Sequence, residues 1–335
     1  MTTQLNSSAA MAKVKSIAPG QGETLIAHGT SLQTKISAAD TDNTFFLIET
    51  VVNPGGGPPL HTHSNEDELF YVLEGTLAVE VLGQTHIAEA GSLAYLPRCI
   101  AHRFACHGDQ PAKFLGFTTP PQFAGFLRAQ SEAVAKPGFQ FSDLVPIAEM
   151  YGLSLGPGSE TVAPGGRVPV VLGPGGGSTL RFHDEALTIK LTAAQTGGMI
   201  GAYEVNVAPG GGPPAHVHDN CDELFYVLEG EFVFRVDGQD HFGRRGTTLY
   251  VPRGIAHHFR NIGKSTGKLL TMVSPGGFEG AFPKIADAAA TGTLNSETIH
   301  RLGVEFETRY LLEQPQLSDL TVQAISNLRD QVAQR

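Results

Sequence analysis

The sequence predicts a mainly β protein built as two tandem barrels or sandwiches, each followed by short α-helices. Three observations predict it. The stretch GGGPPLHTHSNEDELFYVLEG at Gly55–Gly75 returns as GGGPPAHVHDNCDELFYVLEG at Gly210–Gly230, an offset of 155 residues. The offset runs without a gap from the pair Pro19 and Pro174 to the pair Phe123 and Phe278, so one whole domain is duplicated rather than a short solenoid unit repeated. Within each copy, short β-branched and aromatic runs are punctuated by Gly and Pro, as in sandwiches and barrels.

The elements follow in chain order. Residues 1–13 are a polar tail, and residues 14–155 form the first domain. In it Thr44–Val52 reads as a strand, and Leu69–Leu73 and Thr76–Val81 as a hairpin about Glu74-Gly75. Leu93–Leu96, Arg103–Cys106 and Lys113–Thr118 are further strands, and Pro121–Ala135 and Asp143–Tyr151 are helical. Residues 156–167 are dense in turn formers and read as a linker. Residues 168–313 form the second domain. Its strands are Gly201–Val207, Leu224–Leu228, Glu231–Val236, Thr248–Val251, His258–Arg260 and Leu269–Val273, and Phe278–Ala290 and Ser296–Leu302 are its helices. Residues 314–335 read as a C-terminal helix, with Ser318 as N-cap and Leu320, Val322, Ile325 and Leu328 on one face.

Composition narrows the function. The 335 residues suffice for two domains, and 41% hydrophobic with 17% charged residues is the make-up of a soluble globular protein. No apolar run approaches the roughly 18 residues that span a bilayer. The N-terminal stretch has no apolar segment of the signal-peptide kind. Three cysteines cannot build a disulfide framework. Together these features point to a cytoplasmic protein. A net charge of −10 argues against nucleic acid as a partner.

Duplication preserved three histidines and one glutamate per copy: His61, His63, Glu68 and His102, then His216, His218, Glu223 and His257. Histidines two apart on a strand project from one face. The glutamate follows five residues later, past a polar bend, and the last histidine 34 residues after that, on a strand across the barrel. Imidazole and carboxylate suit Fe, Mn, Co, Ni, Cu or Zn alike. Four protein ligands leave one or two positions open for chemistry. A lone strand histidine is usually a packed or surface residue; two superposable sets with a glutamate each are not lone. His86 and His241 are equivalent but read as strand positions, and His258 follows His257 directly and so points away from the barrel interior. Cys99, Cys106 and Cys221 read as small buried hydrophobes. The runs Gly55–Gly57 and Gly210–Gly212 lack what a phosphate cradle needs and read as turns.

These motifs resemble those of the cupin superfamily. Its first motif is matched by Gly55, His61, His63, Glu68 and Gly75, and by Gly210, His216, His218, Glu223 and Gly230. Its second is matched by Gly246, Pro252, Gly254, His257 and Asn261. The first copy keeps Gly91, Pro97 and His102 but has Cys99 and Cys106 where the motif has Gly and Asn. The resemblance covers nearly the whole chain. It implies two jelly-roll barrels, a bicupin, with one divalent transition metal in each. Fe2+ is the cation expected first.

Among bicupins the PGGGPP lead, the DELFYVLEG continuation and AEMYGLSLGP (Ala148–Pro157) most resemble the quercetin 2,3-dioxygenase group. This resemblance implies ring cleavage of a flavonol or related enol by O2, with Glu68, and after it Glu223, doubling as base. By period-two alternation Phe70, Val72 and Phe104 join the ligand face of the first copy, and Phe225, Val227 and Phe259 that of the second, making an apolar chamber for a small aromatic substrate. An oxalate decarboxylase-like lyase is the alternative. It would want an arginine in the chamber, and Arg98 and Arg253 fall in the turn beside the barrel mouth. A storage or ligand-binding bicupin is a third reading. Bicupins commonly pair through terminal helices, so a homodimer is also implied.

Overall fold

The computed structural model describes residues 13–27, 30–158, 160–182 and 185–311. The helix expected at 314–335, with the dimer face it offers, lies outside the described residues.

Each copy folds as a seven-stranded sheet facing a five-stranded one. In the first barrel Asp67–Glu74 is an interior strand of the large sheet, flanked by Leu93–Leu96 and Ala112–Thr119. In the small sheet, His61–His63 pairs with His102–Cys106, which pairs with Thr76–Val81. The second barrel repeats this with Asp222–Glu229, His216–His218 and His257–Asn261. All pairings between strands are antiparallel, as expected for a jelly roll.

Asp67–Glu74 is apolar on both faces because both are covered. Phe70 and Val72 point into the barrel core, whereas Leu69 and Tyr71 meet Leu224, Tyr226 and Tyr250 of the other barrel. The two large sheets thus pack back to back, which is why alternation is blurred in exactly these central strands and clear in the edge ones. Two phenols cross the interface in pseudo-twofold fashion. Tyr71 donates to Glu204 and Tyr226 to Glu49, each at 2.8 Å. Lys190 and Lys268 stand on Glu204, and Lys113 on Glu49.

The barrels also exchange strands. Lys15–Ile17, from the first copy, pairs with Thr248–Val251 of the second barrel. Its equivalent Val170–Leu172 pairs with Leu93–Leu96 of the first. From the expected linker, Ala163 is buried in the core of the first barrel and Arg167 pairs with buried Asp67.

The helices Phe123–Val134 and Leu144–Met150 cover one end of the first barrel. Phe123, Phe126 and Leu127 recur at helical spacing and face the strands. Ala281–Ala290 and Ser296–Glu305 take the corresponding place in the second, the latter capped by Asn295, whose side chain accepts from the Thr298 amide.

The interface makes stability sensitive to alkali. Burial, reinforced by Glu204, Asp67, Glu49 and Asp222, raises Tyr71, Tyr95, Tyr226 and Tyr250 far above their usual 10. A phenol raised in the folded state stabilises fully below pH 10, and that stability is lost as pH rises further. Each buried tyrosine removes about 1.4 kcal/mol per pH unit above 10. Denaturant midpoints should therefore fall steeply above pH 10, and less steeply in Tyr71→Phe/Tyr226→Phe. Equal slopes would contradict this.

Candidate metal centres

The structure brings both sequence-derived sets together. One nitrogen from each of His61, His63 and His102 and one oxygen of Glu68 all lie within 4.8 Å of one another, as do those of His216, His218, His257 and Glu223. All eight side chains are buried. The register explains the convergence. His61 lies directly opposite His102, and His216 opposite His257, in the small sheets. Glu68 and Glu223 come from the middle of the facing large sheets, where they pair with Thr118 and Val273.

Orientation is set by the outward ring nitrogens. Nδ1 of His61, His102, His216 and His257 donates to the carbonyls of Pro59, Ile100, Pro214 and Ile255, each at 2.9 Å. A carbonyl accepts only, so each Nδ1 bears the proton and each Nε2 turns a lone pair inward. Nε2 of His61 lies 3.2 Å from Nε2 of His63. Nε2 of His102 lies 3.1 Å from Glu68 Oε2, and Nε2 of His257 2.8 Å from Glu223 Oε2. Burial, aided by the neighbouring imidazoles, lowers His61 to about 3 and His216 well below 6.5. Burial works to raise Glu68, but the imidazoles of His63 and His102 beside it prevail and hold it at about 2. Imidazoles and a carboxylate aimed at one point are a donor set that fits a divalent transition cation.

The surroundings of the two clusters differ. Behind His63 stands Glu66, fully buried, with an oxygen 3.4 Å from His63 Nδ1. At the same place behind His218, Nδ1 meets the Thr308 hydroxyl at 2.9 Å, and Cys221 occupies the position equivalent to Glu66. The first centre therefore has a carboxylate behind one imidazole and the second a neutral hydroxyl. The repeat displays this Glu-to-Cys change, but only the fold shows that it lies behind His63 and His218.

The motif departures have defined consequences. Cys99 takes φ 70°, close to the 81° of Gly254, and its amide donates to His63 O at 2.7 Å just as that of Gly254 donates to His218 O. The turn survives, at a cost of about 1–2 kcal/mol for a left-handed non-glycine residue. Asn261 bonds the carbonyls of Val207 and Ser265, whereas Cys106 reaches only that of Gln110. Arg98 and Arg253 are each tied by main chain and side chain to buried Asp67 and Asp222, respectively. His86 and His241 join neither cluster, and all three cysteines are free.

A cavity of about 490 Å3 opens onto the first cluster at His61 and Glu68. Phe70 and Phe104 line it as the alternation predicts, and Phe114, Phe123 and Phe126 add to them. Val72 does not line it; it packs in the barrel core. The hydroxyls of Thr50 and Thr118, both buried lining residues, have no hydrogen-bond partner. The lining contains no Lys or Arg among the described residues.

Comparison with known proteins agrees with this architecture. The cupin domain family model matches residues 48–117 and again 203–273, so the chain contains two cupin domains and is a bicupin. Over 287 residues it is 25% identical to quercetin 2,3-dioxygenase of Bacillus subtilis (strain 168), spanning 80% of this chain and 84% of that protein. Its fold is similar to that of Bacillus subtilis oxalate decarboxylase, with a TM-score of 0.54 and 17% identity over 88% of this chain and 87% of the other. It is likewise similar to Ylba from E. coli, with a TM-score of 0.56 and 12% identity over 78% of this chain and 91% of the other. Among the described residues no helix is long and apolar enough to cross a membrane.

Proposed function

We propose that the first barrel is the active site of a metal-dependent dioxygenase of the quercetinase kind. It would cleave a flavonol or related enol-bearing aromatic with O2, with His61, His63, Glu68 and His102 holding the cation. The observation that supports this most is the chamber itself. It is large enough for a ligand of that size, walled by six phenylalanines, and floored by an imidazole and an ionised carboxylate.

The roles follow from the surroundings of each group. Phenylalanine rings at the edge-to-face spacings seen among Phe70, Phe104 and Phe114, 4.9–5.2 Å, offer apolar walls against a flat ring and keep water out. The bound cation supplies Lewis acidity toward the substrate hydroxyl and a route for electrons to dioxygen. Glu68 faces the chamber and accepts the hydroxyl proton. Its carboxyl is held well below the usual range and so is ionised and able to take that proton. Thr50 and Thr118 can satisfy their hydroxyls on polar groups of the substrate. Fe2+ remains the expected cation, with Mn, Co, Ni, Cu and Zn compatible with the same donors.

A small dianion such as oxalate is disfavoured, because the chamber lining has no Lys or Arg among the described residues and Arg98 is committed to Asp67. The direct test loads the protein with each metal in turn and follows a flavonol panel on an oxygen electrode. Oxygen consumption matching flavonol loss is expected. No uptake with any metal would remove this reading.

A further inference from the structure

The two clusters are built from the same residues at equivalent positions, but the residues in front of them differ. Ile48, which lines the first chamber, is replaced 155 residues later by Tyr203. Tyr203 is buried, and its phenol donates to Glu223 Oε1 at 2.8 Å. The other Glu223 oxygen meets His257 at 2.8 Å, so both carboxylate oxygens are engaged. Phe282, in place of the chamber residue Leu127, packs on Tyr203 with ring centres 4.7 Å apart. Tyr310, in place of the chamber residue Leu155, lies with its ring 6.0 Å from that of His216.

The strands beside these residues differ in the same sense. Ile48 pairs with Gly116, where an added Cβ would already crowd Ile48 at 3.1 Å. Tyr203 pairs with Thr271. The two partnerless hydroxyls of the first chamber, Thr50 and Thr118, become Val205 and Val273. Each change removes room or a polar handle for a ligand from the second barrel while leaving its three histidines and glutamate intact.

We propose that Tyr203 is a built-in occupant of the second site. Its phenol rests on Glu223 where a substrate's enolic hydroxyl would rest on Glu68. The second barrel then keeps a cation-holding set but admits no aromatic ligand, and turnover belongs to the first barrel alone. The inference rests on reading the first cavity as the substrate chamber.

The test counts ligands per chain. Full-length protein loaded with two Mn2+ per chain, as measured by elemental analysis, is titrated without oxygen with 4-nitrocatechol, a coloured phenol that reports metal contact, and separately with quercetin. One 4-nitrocatechol per chain is expected for the wild type, two for Tyr203→Ile, and none for Ile48→Tyr with both Mn2+ retained. Tyr203→Phe keeps the ring and should still bind one, while the Mn2+ electron paramagnetic resonance signal of the second site changes. Two ligands per wild-type chain, or one persisting in Ile48→Tyr, would overturn the inference, and neither result depends on Tyr203→Ile folding. Should 4-nitrocatechol bind as expected but quercetin not at all, the flavonol reading fails and the sealed second site stands.

Discussion

Glu68→Gln is expected to lower kcat on a responsive flavonol by about 10²–10⁴-fold, the usual contribution of a positioned proton acceptor. The amide keeps the shape of the carboxylate and an oxygen toward the cation, but it takes no proton. The comparison must be made at saturating metal, because loss of a negative donor also weakens cation binding. With metal saturated, the fall should lie in kcat and leave KM within a few-fold, since the phenylalanine walls that hold the substrate are untouched. Glu223→Gln should cost at least tenfold less, because its partner is the internal phenol of Tyr203. A Glu68→Gln enzyme with near wild-type kcat would show that the proton goes elsewhere.

Phe117→Ala should be the most damaging single truncation for stability. Phe117 is 1% exposed, stacks on Phe45 at 4.8 Å, and Phe45 in turn meets Tyr250 of the other barrel edge-on at 5.6 Å. The site belongs to the core shared by the two large sheets, and collapse there would require both sheets to move. A buried Phe-to-Ala change of this kind costs about 3–5 kcal/mol. Equilibrium denaturation by urea checks it. A loss under about 1 kcal/mol would mean that the barrels repack freely and that their interface is not a close-packed core.

Both barrels and the two clusters of three histidines and a glutamate could be read from the sequence because duplication wrote them twice. The strand Asp67–Glu74 was placed within two residues at its start and one at its end, since its apolar run is bounded by a polar bend and a Gly turn. The strand exchange was not readable. Lys15–Ile17 and Val170–Leu172 are three residues long, and nothing local says which barrel completes a segment that short. The differences between the sites were present as letters but not as meaning. Ile48 against Tyr203, and Glu66 against Cys221, become chemistry only when the fold turns Tyr203 onto Glu223 and Glu66 behind His63. Alternation found Phe70 and Phe104 but not Phe114, Phe123 and Phe126, which reach the chamber from a neighbouring strand and from the covering helix. Arginines expected near the barrel mouth proved to be spoken for by Asp67 and Asp222, a pairing 31 residues apart that spacing alone does not announce.

Anomalous scattering from a crystal grown with metal, recorded across several absorption edges, tests the central claim most directly. One peak is predicted inside each barrel, between the three imidazoles and the carboxylate of each cluster. Imidazoles turned away from one another around a centre with no anomalous signal would contradict the account and leave only the paired β-barrels.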